Sequence, residues 1–72
     1  MYLSDENKKE IAGLISSIMF NKEKWYEAID HRNYDDAEEW HRDYAQDIVE
    51  LSSRFDIHLA GAQECVRFLN DV

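Results

Sequence analysis

The stretch YDDAEEWHRDYAQDIVELSSRF, residues 34–55, carries two superimposed patterns that only a helix separates cleanly. At about 100° per residue, Ala37, Trp40, Tyr44, Ile48, Leu51 and Phe55 share one side, while Asp36, Glu39, Asp43, Asp47 and Glu50 line a neighbouring stripe. Ala45 and Val49 widen the apolar arc, as a helix touching two neighbours requires. The chain contains no proline, so nothing in its sequence forces a break.

The flanking segments repeat the same period. Ser4 is placed to cap a first helix, with Asp5 and Glu6 in the first turn where the helix dipole favours negative charge. Ile11, Leu14, Ile15, Ile18 and Met19 follow at helical spacing, and Lys22, Trp25, Tyr26 and Ile29 continue the stripe in phase. The spacing predicts one helix from about Asp5 to His31. Phe20 falls opposite the stripe, and Asn21 is a mediocre helix former able to end one helix and cap the next. Continuity leaves Phe20 facing solvent or a partner, whereas a break would let it turn inward.

His31, Arg32 and Asn33 carry helix-end signals: two side chains suited to the negative end of the dipole, then an Asn able to adopt the left-handed conformation. Asn33 or Asp35 caps the second helix, and Asp35 with Glu38 has capping-box spacing. So short a connection predicts an antiparallel hairpin. Ser52, Ser53 and Arg54 close the second helix, Phe55 lies under the junction and Asp56 caps a third helix from about Ile57 to Asn70. Its inner side is Ile57, Gly61, Ala62, Cys65, Phe68, Leu69 and Val72, with Gly61 and Ala62 permitting close approach. The expected fold is all-α: a small antiparallel three-helix bundle in a single domain, residues 1–72, near the lower size limit for one core.

A net charge of −8 opposes direct binding to nucleic acid or to an anionic membrane and favours a protein partner with a basic surface. Cys65, the one cysteine, excludes an internal disulfide and reads as a small buried hydrophobe in a reducing compartment. MYLSDENKKE lacks the features of a secretory signal, and the apolar runs are too short to span a bilayer, so the expectation is cytoplasmic.

The segment from Trp25 to Leu51 resembles a single tetratricopeptide hairpin at Tyr34 and Ala37, just after the turn, and departs from it at Trp25, where that family packs a glycine. One repeat makes no array, and the sequence assigns the chain to no family. Glu38 and His41 have the i, i+3 spacing of a helical metal-ligand pair, and Glu27 and His31 stand at i, i+4. Di-metal bundles need two such units and further carboxylates, so both pairs read as surface neighbours. MazG-type pyrophosphohydrolases hold Mg²⁺ through E-x-x-E and E-x-x-D on facing helices. Glu27-x-x-Asp30 is present here, but no E-x-x-E precedes it. No phosphate loop or nucleophile elbow occurs. The expectation is no enzyme activity, no cofactor and no metal.

Asp35, Glu39, Asp43 and Asp47 recur every fourth residue, rising about 6 Å per step, close to the phosphate spacing of a nucleic-acid strand. The resulting expectation is a small acidic inhibitor that masks a basic, nucleic-acid-binding surface of another protein, as DNA-mimicking phage or mobile-element proteins do in anti-defence or host takeover. Its contact residues are Asp35, Asp36, Glu39, Asp43, Asp47 and Glu50, with Phe20 and Trp40 as aromatic anchors. The alternative is a helical adaptor or subunit that binds a partner helix, or itself as a homodimer, in an apolar groove between the first and third helices. A metal-dependent hydrolase using Glu27, Asp30, Glu38 and His41 ranks third.

Overall fold

The computed structural model describes residues 4–59 and 61–71, without the side chains of Ala62 and Leu69. Among the described residues three helices make up the architecture: α1 (Asp5–Asp30), α2 (Tyr34–Phe55) and α3 (Ala62–Asp71). The all-α expectation, with a long first helix, a helical hairpin and a shorter third helix, is what is observed. None of these helices is long and apolar enough to cross a membrane.

α1 begins as its sequence dictates. Ser4 Oγ accepts from the Asn7 N–H at 3.1 Å, and Asp5 and Glu6 occupy the first turn. The helix runs unbroken through Phe20 and Asn21. Asn21 does not end it, because the side chain turns into the interface with α2 and is bonded there, leaving the backbone ladder undisturbed. Phe20 accordingly stays outside, 52% exposed.

The turn after α1 is closed by a pair of backbone bonds, Asn33 N–H to Ala28 O at 2.8 Å and Arg32 N–H to Ile29 O at 2.9 Å. The left-handed residue is Arg32, with φ 57°, and not the expected Asn33, whose φ is −94°. Asn33 occupies the N-cap position of α2, but its side chain caps no backbone group; its Nδ2 donates to Asp36 Oδ2 at 2.6 Å. The expected Asp35–Glu38 capping box is superseded, since Asp35 already lies inside the helix.

α2 packs antiparallel to α1 along two seams of alternating spacing. Leu14, Ile18, Asn21, Trp25 and Ala28 on α1, and Ala37, His41, Tyr44, Ile48 and Leu51 on α2, each recur at alternating steps of four and three, the spacing of a coiled-coil seam. Near the turn the buried contacts are small, Ala28 and Ala37, which lets the two backbones approach. Toward the open end they are large: Ile11, Ile15, Ile18, Leu51, Ile57 and Cys65 form the core, flanked by Leu14, Tyr44, Ile48, Phe55, Leu59 and Phe68. Each fully buried isoleucine contributes about 1.5–3 kcal/mol by leaving water.

The third helix starts later than the sequence suggests, at Ala62 instead of near Ile57. Asp56 closes α2 in the left-handed conformation (φ 56°) and does not open α3. Ile57, 4% exposed, reaches the core from a non-helical connector. That connector is held by His58, whose Nδ1 lies 2.9 Å from Ser52 Oγ and whose Nε2 lies 2.7 Å from Asp56 Oδ1. His58 is therefore a clamp on the connector. Gly61 sits against Tyr44, where an added Cβ would stand 3.0 Å from the hydroxyl oxygen and the Tyr44 side chain would have to give by a few tenths of an ångström. The connector thus returns alongside α2 before α3 packs on α1. Of the expected inner positions, the side chains of Ala62 and Leu69, and Val72 as a whole, lie outside what is described.

The molecule measures 43 × 21 × 19 Å. Its long axis matches α1, which at 1.5 Å per residue is about 39 Å, whereas α3 is about 15 Å. The hairpin is covered by a third layer over only part of its length.

Candidate interaction surface

The two edges of the hairpin differ in kind. One edge, bearing α3, presents Met19, Lys22, Glu23 and Tyr26 of α1 beside Gln63 and Val66 of α3 as an open groove. The other edge carries Ser17, Asn21, Asp43, Gln46, Asp47 and Glu50 around a polar groove. Asp43, Asp47 and Glu50 of the acidic stripe thus lie on this second edge.

The stripe does not act as one row. Asp35, Asp36, Glu39 and Asp43 are exposed. Asp47, expected to face outward, is instead half-buried: its Oδ2 accepts from Ser17 Oγ at 2.6 Å and from Asn21 Nδ2 at 3.1 Å. Asn21 is 6% exposed, and its amide also lies 3.5 Å from Ser17 Oγ. Position 47 turns inward because the spacing that aligns it with Asp43 also brings it to the α1 seam, where two donors await it. Glu50, also half-buried, accepts from Arg54 Nη1 at 3.1 Å, and the same guanidinium bonds Glu10 across the open end of the hairpin. Arg54 thereby neutralises the lower end of the stripe from within the molecule.

Phe20 and Trp40 do come together. Their ring centroids are 5.9 Å apart with an interplanar angle of 79°, an edge-to-face contact across α1 and α2. Trp40 is half-buried and lines a groove near the turn with Lys24, Glu27, Ala28, His31, Asn33 and Asp36. The Lys24 ammonium stands 5.7 Å from the Phe20 ring centre. The aromatic pair and Asp36 are therefore neighbours on one flank.

The candidate metal pairs do not assemble. Glu27 pairs with Lys24 at 3.6 Å and Glu38 with Arg42 at 3.8 Å, while His41 packs on Trp25 with centroids 4.6 Å apart. Among the described residues, no three His, Cys, Asp or Glu side chains converge where a metal ion could sit. Cys65 is fully buried, and burial pushes its thiol above the ordinary value of 9.0, assisted by the charge of Glu64.

Two groupings escape sequence reasoning. The Ser17–Asn21–Asp47 cluster was signalled only by the seam itself, since Asn21 stands three after Ile18 and four before Trp25 in an otherwise apolar register. The second is the ring assembly Trp25–His41–Tyr44, in which Trp25 lies 6.0 Å from Tyr44 and 5.1 Å from Tyr26. No protein-family model, curated protein or solved structure matches this chain.

Proposed function

We propose that this chain is a small acidic protein-binding module that inhibits a partner by masking its basic, nucleic-acid-facing surface. The observation that supports it is the flank on which Asp36 lines a groove with Trp40, the edge-to-face partner of Phe20, with Asp35, Glu39 and Asp43 also exposed on α2. Carboxylates at this spacing steer a cationic groove and occupy the places of phosphates, while an adjacent aromatic edge supplies the desolvated contact that charge alone lacks. With a net charge of −8, the long-range field has the sign of a nucleic acid. Such a body suits the anti-defence or host-takeover proteins of phages and mobile elements. Asp47 and Glu50 drop out of the contact set, because one holds the hairpin together and the other is occupied by Arg54.

Affinity capture from the native host tests this reading, using the intact chain beside an E39K/D43K variant that leaves Asp47 in place. The partner is expected to be lost by the variant, to be displaced by duplex DNA, and to elute as salt rises toward about 0.5 M. Circular dichroism should show the variant still folded. A partner that both forms retain at high salt overturns the proposal.

A further inference from the structure

We infer that the turn-proximal half of α1 holds a second docking surface, built for one amphipathic helix with basic flanks supplied by another protein. The inference stands on a different edge of the hairpin from the acidic flank and does not depend on it.

The apolar stripe of α1 outruns its cover. Lys22, Trp25, Tyr26 and Ile29 continue the phase of Ile11, Ile15 and Ile18, yet α3 is about 15 Å long against about 39 Å for α1. Beyond it, Tyr26 is 51% exposed and Ile29 40%, with Met19 at 47% on the near side. These side chains lie on or beside a fixed platform: Trp25 is wedged between Tyr26 at 5.1 Å and His41 at 4.6 Å, so little side-chain entropy remains to be lost on contact. The groove that Met19 and Tyr26 share with Val66 of α3 opens onto this platform. A helix of two to three turns laid there would prolong the third layer, in the manner by which helices seat in apolar grooves.

Charge selects the occupant. Glu23, which lines the groove, and the exposed Asp30 next to Ile29 form an acidic rim on α1, while the Lys22 ammonium is folded over the Tyr26 ring at 5.5 Å. A second copy of this chain would bring another −8 to the contact and be repelled. A helix with leucine-like residues on one face and Lys or Arg beside them meets both the rings and the rim.

The probes are two synthetic peptides of about 14 residues, one with Leu on a helical stripe and Lys elsewhere, the other with Glu replacing every Lys. Binding is read by calorimetry and by Trp emission in a W40F background, so that Trp25 reports alone. The Leu/Lys peptide is expected to bind and to lose about tenfold or more in affinity with Tyr26→Asp or Ile29→Asp. Either Asp adds charge that a basic peptide favours, so the loss reports the apolar contact. E39K/D43K is expected to change this affinity by no more than about twofold, because it lies on the other edge. Equal binding of the Leu/Glu peptide, unchanged affinity in I29D, or a dimer of the free protein that I29D dissociates each overturns the inference.

Discussion

Arg32 shows how a single residue can carry strain that the rest of the turn tolerates. At φ 57° its Cβ crowds the following carbonyl, a penalty of about 1–2 kcal/mol for a non-glycine residue. The compensation is the pair of bonds to Ala28 and Ile29 that ends α1 and reverses the chain. Glycine would take the same conformation freely, so R32G is expected to raise stability by about 0.5–1 kcal/mol, net of the added freedom in the unfolded chain. Urea unfolding followed by circular dichroism measures this, and a lower midpoint in R32G would show that the Arg32 side chain contributes more than its backbone penalty. Helix-end chemistry around His31–Asn33 was plain in the sequence, but which residue would be left-handed was not. Asn is the statistically favoured choice, whereas Arg32 is one position nearer the helix end that packing set.

Between elements, the governing contact is polar. Asp47 reaches across the hairpin to Ser17 and Asn21 at the centre of an otherwise apolar seam. A polar residue at such a position fixes register, because sliding α2 by one turn would strand the Asn21 amide and the Asp47 carboxylate without partners. Removing the acceptor by D47A is expected to destabilise the protein by about 1–3 kcal/mol, visible as a lower denaturation midpoint. Exchanging both partners for leucine, N21L/D47L, should recover much of that loss, since matched apolar groups need no bond. Should D47A prove as stable as the parent, the cluster would not be what aligns the hairpin. The outward direction of Asp47 was a fair inference from α2 taken alone. It fails because the stripe drifts around the helix and meets α1 at that point, and Ser17 is thirty residues away in the chain.

Across the whole molecule, charge and burial are unevenly distributed. The large side chains of the core gather where three layers meet, while the turn end is a two-helix structure sealed by Ala28 and Ala37. The excess of carboxylates is spread over a body 43 Å long, and the bridges from Arg54 to Glu10 and Glu50 offset only part of it. Self-repulsion therefore acts against the compact state, and raising salt from about 10 mM to about 150 mM is expected to raise Tm by several degrees. Differential scanning fluorimetry across a salt series decides it. A falling Tm would mean that the bridges outweigh the repulsion.

Sequence alone settled that the fold is helical, roughly where the first two helices end, and that Cys65 is a core residue. Those are consequences of a rotation of 100° per residue and of end-group chemistry, both local properties of the chain. Tertiary structure alone decided that α3 begins at Ala62, that Asn21 and Asp47 face each other, and that His41 packs at a tilt against Trp25. Each depends on what stands opposite a residue across space. Burial reverses the preference of a polar side chain once a donor lies within reach, and no periodicity along one helix can report the neighbour supplied by another.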